Sequence, residues 1–200
     1  MEKDKLTEKE VLELLQKCGA FLSGHFKLSS GLHSGKYLQC ALVLQYPDLA
    51  ERLCRQIAAN FASHGSKIDA VVSPAIGGII VGQEVARALG CRALFCEREG
   101  GKMNLRRGFK IGKGERVLIV EDVITTGGSV KEIVEIVKAM GGEVKGIGAI
   151  VDRRQPSLSD ELARLGLPIE SLLRINIETY SPEDCPICKQ GTPLEKPGSR

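Results

Sequence analysis

The sequence predicts an α/β fold, a parallel sheet flanked by helices, with a small antiparallel region near the N-terminus. Between residues 69 and 177, short apolar runs typical of strands alternate with amphipathic patterns typical of helices. Such alternation builds parallel sheets with right-handed connections. Residues 117–120 are all apolar, as expected for a strand buried on both faces. In residues 20–40, Ser-Gly pairs separate short apolar pieces and indicate an antiparallel region outside the main sheet.

Length and composition favour one domain of ordinary globular character. The 200 residues are 42% hydrophobic and 26% charged, which is typical of proteins with a sizeable core. A net charge of +3 and the absence of Trp argue against a nucleic-acid partner. The charged N-terminus lacks a signal-peptide core, and no apolar run is long enough for a membrane span. Seven cysteines indicate reduced thiols and a cytoplasmic location rather than a disulfide framework.

The N-terminal part of the chain begins with a helix. Thr7 and Glu10 have the spacing of a capping box, which predicts a helix over residues 7–17. Residues 20–40 form the antiparallel region. A second helix is predicted at 47–63, where apolar residues recur every four positions: Leu49, Leu53, Ile57 and Phe61.

The remaining elements follow the α/β pattern. Gly90 is placed to end a helix, because glycine readily adopts the left-handed conformation of a C-terminal cap. The tail after Pro182 is rich in Pro and Gly and is expected to pack weakly or fray. The predicted order is strand 70–73, helix 79–89, strand 91–96, polar loop 97–114, strand 117–120, helix from Val130 to the Gly141-Gly142 stop, strand 144–151, helix 158–165 and strand 169–177.

The stretch 116–130 combines two features that suit a sugar phosphate. Two carboxylates, Glu121 and Asp122, come where the central strand is expected to end, and carboxylates accept hydrogen bonds from vicinal hydroxyls. A small-residue turn at the start of a helix then offers N–H and hydroxyl donors to a phosphate: Thr125, Thr126, Gly127, Gly128 and Ser129. A ribose 5-phosphate offers hydroxyl groups to the two carboxylates and a phosphate to the donor turn. The alternative, a receiver-type signalling domain, also has clustered acids, but they do not lead into TTGGS.

Three further loops are expected at the same edge, because ligands of parallel sheets bind at the carboxyl ends of the strands. Small residues after the first core strand allow the backbone to approach a pyrophosphate: Ala75, Ile76, Gly77 and Gly78. The loop 97–108 carries glycines and the cations Arg98 and Lys102, as expected for a lid that excludes water. Arg153 follows the strand 144–151 and has the geometry to bind a ligand carboxylate. The alternative interpretations are a plain strand-to-helix turn for residues 75–78, a solvated charged loop for 97–108 and a surface ion pair for Arg153.

With these loops together, the chain resembles the type I phosphoribosyltransferases, and over nearly its whole length the orotate phosphoribosyltransferases. Residues 116–130 resemble the binding signature for phosphoribosyl pyrophosphate (PRPP). Residues 26–37, FKLSSGLHSGKY, resemble the hood that contacts the base, with Ser29 and Tyr37 at the contacting positions. The resemblance implies one domain, 1–200, with a hood of about residues 1–45 plus the C-terminal segment and a core at about 46–178.

The resemblance also implies an activity: reversible formation of orotidine 5′-monophosphate and pyrophosphate from orotate and PRPP, with Mg²⁺, in pyrimidine biosynthesis. Glu121 and Asp122 then hold the ribose hydroxyls, and residues 125–129 hold the 5-phosphate. Residues 75–78 face the pyrophosphate, while Lys102, supported by Arg98, assists its departure. Arg153 holds the orotate carboxylate. No residue is assigned as a metal ligand, since substrate oxygens can carry Mg²⁺. A homodimer with shared active sites is expected.

Several positions depart from the family pattern. The mobile loop is short and lacks a histidine, and Arg98-Glu99 stands in place of an Arg-Lys pair. Ser29 and Gly77 stand where many members have lysine. Lys36, Arg106 and Arg107 are therefore candidates to supply the positive charge that these positions lack. A transferase for purine or xanthine and a non-catalytic PRPP sensor remain the alternatives.

The histidines and the C-terminal cysteines show no complete metal motif in the sequence. Cys185 and Cys188 form a lone CxxC pair, which is half a zinc site or a structural pair. His25, His33 and His64 lack the spacing of metal ligands. His64 is expected at the surface near the end of a helix. His33 lies in the resembling hood, where an approach to the substrate is the less favoured interpretation.

Overall fold

A six-stranded sheet forms the centre of the computed structural model, which describes residues 5–28, 30–63, 65, 67–154 and 160–197. A separate two-stranded antiparallel sheet forms the hood. The strands are β1 Phe21–Lys27, β2 His33–Leu38, β3 Ala70–Pro74, β4 Arg92–Glu99, β5 Lys102–Leu105, β6 Arg116–Ile124, β7 Glu143–Asp152 and β8 Ile169–Arg174. The helices are α1 Glu8–Lys17, α2 Ala41–Leu44, α3 Pro47–Ala62, α4 Gly78–Leu89, α5 Gly128–Ala139, α6 Asp160–Ala163 and α7 Pro186–Lys189.

The main sheet has the strand order β5-β4-β3-β6-β7-β8. All its neighbouring strands are parallel except β5, which pairs antiparallel with β4 at one edge. This topology confirms the predicted α/β class. The central strands β3 and β6 lie side by side, so the loops that follow them meet at one edge of the sheet.

Apolar side chains cover both faces of the central strand β6. Leu118 and Val120 pack in one core with helices α1, α3 and α4, while Val117 and Ile119 pack in a second core with α5. Because successive side chains of a strand point to opposite faces, the all-apolar run reflects helices on both sides. The predicted strand buried on both faces is therefore confirmed.

Several predicted elements are confirmed with small shifts in their ends. Thr7 caps α1 through a capping box with Glu10, and Gly90 ends α4 in the left-handed conformation. The hood is an antiparallel β1–β2 pair. The short helix α2 was not predicted. The predicted helix 158–165 appears as α6, and residues 158–159 lie outside the described part.

Three predictions about element boundaries are wrong. Residues 97–105 are not loop but the β4–β5 hairpin, whose edge position tolerates polar residues on both faces. Strand β6 continues to Ile124, which is buried and pairs with Asp152, so the two acids lie within the strand. Helix α5 accordingly begins at Gly128 rather than Val130.

The tail after Pro182 is also more ordered than predicted. It contains α7, and Cys185 in it is fully buried. Glu195 accepts a backbone hydrogen bond from Lys27 and donates one to His25. These partners are about 170 positions away in the sequence, which local composition does not reveal. Among the described residues, no helix has the length and apolar character that crossing a membrane requires.

Candidate active site

The two carboxylates of β6 lie partly buried at the carboxyl edge of the sheet. Burial, together with the neighbouring charge of Asp122, raises the pKa of Glu121 to about 8. Burial also raises the pKa of Asp122, and hydrogen bonds from the backbone N–H groups of Val123 and Asp122 itself partly oppose this effect. No ion pair joins either acid to a cation within the described residues. The pair therefore favours a ligand that supplies hydroxyl donors or positive charge.

The turn after β3 is in direct contact with Asp122. A Cβ atom built at Gly77 would lie 2.6 Å from Oδ2 of Asp122, a separation that real Cβ atoms essentially never have. The absence of a side chain at position 77 therefore lets the backbone of residues 75–78 lie against the carboxylate. This contact gives a physical reason for glycine at position 77. The Ala75–Ile76 peptide bond in this turn is cis.

The turn between β6 and α5 presents backbone N–H donors at a helix start. Gly127 is the N-cap of α5 and, as a glycine, makes no side-chain capping bond. Its φ of 79° and a built Cβ only 2.4 Å from Leu162 Cδ1 both require glycine. Thr126 Oγ1 accepts a 3.3 Å bond from the N–H of Gly128. Thr125, Thr126 and Gly128 are exposed, so this cradle is open to an anion.

Between residues 98 and 107, the β4–β5 hairpin and the residues directly after it carry four cations, of which three are paired with acids. Arg98 bonds to Glu132 of α5 at 2.7 Å and to the carbonyl of Gly101 at 2.6 Å. Glu132 also accepts a 2.9 Å bond from the N–H of Met103, so it fixes the hairpin to the helix that follows the cradle. The other two pairs are Arg106–Glu99 at 3.1 Å and Arg107–Glu97 at 2.7 Å.

Lys102 differs from the other cations of the hairpin. It lies at the start of β5, opposite Glu99, and its side chain is exposed. It forms no ion pair within the part of the chain that the structure describes. Because β4 pairs with β3 only as far as Pro74 and Cys96, the tip of the hairpin projects past the sheet edge. Lys102 is thus available to an anionic ligand, whereas Arg98 is engaged elsewhere.

Arg153 and Arg154 follow β7 but have different surroundings. Arg154 forms a bidentate pair with the buried Asp152, at 2.9 and 2.7 Å. Arg174 approaches the same carboxylate at 3.3 Å. Arg153 has no carboxylate partner among the described residues, and burial lowers its pKa. A half-buried guanidinium without a counter-ion favours an anionic ligand.

The hood approaches the two acids through the residues that follow β2. The charge of Asp122, second to burial, raises the pKa of Cys40, which places this buried thiol near the carboxylate. Tyr37 packs against Phe26 with ring centroids 5.7 Å apart. Lys36 donates a 2.6 Å hydrogen bond to Ser23 of β1. Ser29 lies outside the described residues.

Sequence reasoning did not identify Glu132 or Cys40 as neighbours of the site. Glu132 is one of two acids in helix α5, and Cys40 is one of seven cysteines. Only the packing of α5 against the hairpin, and of the hood against β6, distinguishes them. The carboxyl edge of the sheet therefore brings together the acid pair Glu121 and Asp122, the anion cradle 125–129 and the turn 75–78. Lys102 and Arg153 are the two cations there without a carboxylate partner among the described residues.

Comparison with protein-family models finds a match to the phosphoribosyl transferase domain over residues 44–163. Curated relatives extend over almost the whole chain. An orotate phosphoribosyltransferase of Pelotomaculum thermopropionicum is 58% identical over 195 residues, covering 98% of this chain and 99% of that protein. One of Caldanaerobacter subterraneus subsp. tengcongensis is 56% identical over 200 residues, covering 100% and 99%.

Solved structures show the same architecture. The orotate phosphoribosyltransferase of Aeropyrum pernix matches with a TM-score of 0.70 and 27% identity, covering 82% of this chain and 93% of that chain. An adenine phosphoribosyltransferase of Thermoanaerobacter pseudethanolicus matches with a TM-score of 0.60 at 22% identity, covering 70% and 88%. The fold is therefore shared by enzymes with different bases, and fold alone does not identify the base.

Proposed function

The chain belongs to the orotate phosphoribosyltransferase family, and from this we propose that it joins orotate to the ribose 5-phosphate of PRPP, releasing pyrophosphate. The product is orotidine 5′-monophosphate, a step of pyrimidine biosynthesis. One observation in the site favours an acidic base over a purine: the half-buried Arg153 guanidinium lacks a protein carboxylate among the described residues. The carboxylate of orotate provides that partner through a charge-assisted pair.

PRPP binding is supported by the acid pair and the cradle. The 5-phosphate accepts hydrogen bonds from the uncapped N–H groups at the start of α5 and from the hydroxyls of Thr125, Thr126 and Ser129. Glu121 and Asp122 accept hydrogen bonds from the ribose 2- and 3-hydroxyls. A ligand held at both ends has its anomeric carbon fixed in position, which lowers the entropic part of the barrier.

The pyrophosphate is the leaving group, and its charge must be stabilised as it departs. The small-residue turn 75–78 brings backbone groups to it, and the exposed Lys102 approaches from the hairpin. The donor set suits Mg²⁺, because a buried acid pair without a protein counter-ion tolerates a cation carried on substrate oxygens. When bound, Mg²⁺ supplies charge neutralisation to the pyrophosphate.

The reaction is a displacement at the anomeric carbon with oxocarbenium character. The bond from this carbon to the pyrophosphate oxygen breaks with both electrons going to oxygen. The N1 lone pair of orotate forms the new bond, and the N1 proton is released. No protein nucleophile is needed, so the protein's part is to position both reactants and to exclude water. We assign exclusion of water to the hairpin that bears Lys102.

The organisation of the molecule is proposed on the same basis. The hood is assigned to about residues 1–45 plus the C-terminal segment, and the core to about 46–178. A homodimer is proposed in which the β4–β5 hairpin of one subunit approaches the site of the other. A cytoplasmic location agrees with seven cysteines that are all free, since reduced thiols persist in that compartment.

The test is the loss of orotate absorbance on mixing the purified protein with orotate, PRPP and Mg²⁺. Loss that needs all four components supports the proposal, and the product is identified by its mass. Adenine, hypoxanthine and xanthine replace orotate in parallel reactions. Turnover of a purine without turnover of orotate contradicts the assigned base, and PRPP binding without any turnover indicates a sensor.

A further inference from the structure

Four side chains with metal-binding atoms come together between the hood and the C-terminal segment. His25 is in β1 and His33 in β2, while Cys185 and Cys188 lie at and within the short helix α7. Their ligand atoms all lie within 4.8 Å of one another. Three of the residues are buried, and only Cys188 is exposed. Nothing in the proposed transferase reaction uses these groups.

Four of the six separations between these ligand atoms are close to the edges of a small tetrahedron. His25 Nε2 is 3.1 Å from His33 Nδ1 and 3.5 Å from each of the two Sγ atoms. Cys188 Sγ is 3.3 Å from His33 Nδ1. A tetrahedral zinc ion, with Zn–N of about 2.05 Å and Zn–S of about 2.3 Å, holds its ligand atoms roughly 3.3–3.8 Å apart. The cluster therefore has the size of a four-ligand zinc site.

The ring of His25 is oriented for a metal by its second nitrogen. Its Nδ1 lies 2.8 Å from the carbonyl oxygen of Thr192. A carbonyl oxygen only accepts, so Nδ1 carries the proton and donates it to Thr192. The lone pair of Nε2 then faces His33 and the two cysteines. Donation from the outer ring nitrogen to a backbone carbonyl is the usual arrangement of a metal-binding histidine.

The surroundings of Cys185 and Cys188 also favour metal binding through thiolate sulfur. The backbone N–H groups of Ile187 and Cys188 donate hydrogen bonds to Cys185 Sγ, because the chain turns into α7 directly after Cys185. Such bonds stabilise negative charge on sulfur. Both cysteines are free thiols in the structure.

We propose that His25, His33, Cys185 and Cys188 bind one Zn²⁺ ion in a closed, tetrahedral, structural site. Two nitrogen and two sulfur ligands select zinc over the hard cations Mg²⁺ and Ca²⁺. Four protein ligands leave no open position for water or substrate, which distinguishes a structural site from a catalytic one.

The zinc site connects parts of the chain that are about 160 positions apart. The same two parts are already joined by backbone hydrogen bonds between His33 and Tyr180, and by those of Glu195 with Lys27 and His25. The ion adds a link between β1, β2 and α7 that the unfolded chain lacks, so metal binding stabilises the folded state. It fixes the hood, whose continuation at Cys40 approaches Asp122.

The first experiment measures metal content in full-length protein expressed without a polyhistidine tag. Elemental analysis is expected to find about one zinc per chain in the wild-type protein. The variants Cys185→Ser and Cys188→Ser should each lose nearly all of it. Cys91→Ser is the matched control, because Cys91 is a partly buried free thiol outside the cluster, and it should retain about one zinc.

A second measurement on the wild-type protein keeps the test independent of whether the variants fold. Zinc is removed with a chelator and Co²⁺ is added. Strong visible bands of tetrahedral Co²⁺ and a near-ultraviolet sulfur-to-cobalt band are expected, together with recovery of several degrees in the melting temperature. Absence of both stoichiometric zinc and these cobalt bands would overturn the proposal. So would stoichiometric iron, or a Cys185–Cys188 disulfide seen as a mass lower by two hydrogens.

Discussion

Arg153 and Arg154 are adjacent in the sequence and have different roles in the structure. Arg154 is nearly buried, with a side chain 7% exposed, and neutralises Asp152, which is 2% exposed. Arg153 has no such partner among the described residues and loses solvation without a compensating charge. Arg154 therefore stabilises the fold, whereas Arg153 is available to bind an anionic ligand.

Replacement of Arg153 by alanine should chiefly weaken orotate binding. Loss of a charge-assisted contact raises the KM for orotate by roughly 10- to 100-fold, while the KM for PRPP changes little. Steady-state kinetics with each substrate varied separately measures the two effects. The paired Arg154 provides the contrast: Arg154→Ala should lower the melting temperature, because a buried carboxylate loses its closest partner. An equal rise in both KM values for Arg153→Ala would contradict the assigned role.

The raised pKa of Glu121 predicts that PRPP binding depends on pH. The hydroxyl-accepting form is the carboxylate, and in the free protein this form becomes dominant only above about pH 8. Affinity for Mg²⁺-PRPP should therefore rise as the pH increases towards 8, with proton release on binding. The free folded protein, which holds the extra proton between the ordinary pKa of 4.5 and about 8, should lose stability over the same interval.

Calorimetric titration with PRPP in buffers of different ionisation enthalpy measures this proton release. Glu121→Gln removes the titrating group and should remove the release below pH 8. Glu135→Gln is a control from the neighbouring helix α5, and it should leave the release unchanged. Identical proton release in the wild-type protein and Glu121→Gln would assign the titration to another group.

At the scale of elements, the β4–β5 hairpin and the start of α5 form one unit. Glu132 of α5 binds both Arg98 and the backbone of Met103, so the hairpin is positioned by the helix that carries the cradle. This leaves Lys102 as the hairpin cation without an ion pair among the described residues. A polar strand at the sheet edge thus has a positioned cation at its tip.

Replacement of Lys102 by alanine should lower kcat by at least roughly tenfold, since loss of one group that stabilises a developing charge typically has this effect or a larger one. The KM for orotate should change little. Lys110→Ala is the matched control, because Lys110 is another exposed lysine that follows the hairpin. Equal loss of activity in both variants would point to a general charge effect rather than a contact with pyrophosphate.

Gly127, in the turn into α5, is required for two reasons: its positive φ and its close packing against Leu162. Gly114, elsewhere in the chain, has only the positive φ, so the two glycines can be compared. Gly114→Ala, at φ 74° with open space around it, introduces backbone strain of about 1–2 kcal/mol. Gly127→Ala, at φ 79°, also places a Cβ atom 2.4 Å from Leu162 Cδ1, which adds roughly 1–3 kcal/mol of overpacking. Urea unfolding should rank Gly127→Ala as the less stable, and that variant should also lose PRPP affinity. Equal stabilities would contradict the packing term.

At the scale of the whole molecule, the proposed dimer predicts complementation between inactive subunits. In a mixed dimer of Lys102→Ala and Arg153→Ala, sharing of the hairpin across subunits puts both changes in one site and leaves the other intact. Refolding the two variants together should then restore about a quarter of wild-type activity. Assays at low orotate concentration, with each variant refolded alone as control, measure the recovery. No recovery would place Lys102 in the site of its own subunit.

The sequence by itself determined the strand-helix alternation, the cradle at residues 125–129 and the turns of the hood. These features depend on local properties: apolar periodicity, the conformational freedom of glycine and the donors at a helix start. The distinction between Arg153 and Arg154, the pairing of Arg98 with Glu132, and the order of the tail were decided only by the tertiary structure. So was the meeting of His25 and His33 with Cys185 and Cys188. Each of these depends on which side chains packing brings together, and the partners of the tail are about 160 positions away, beyond the range of any local pattern.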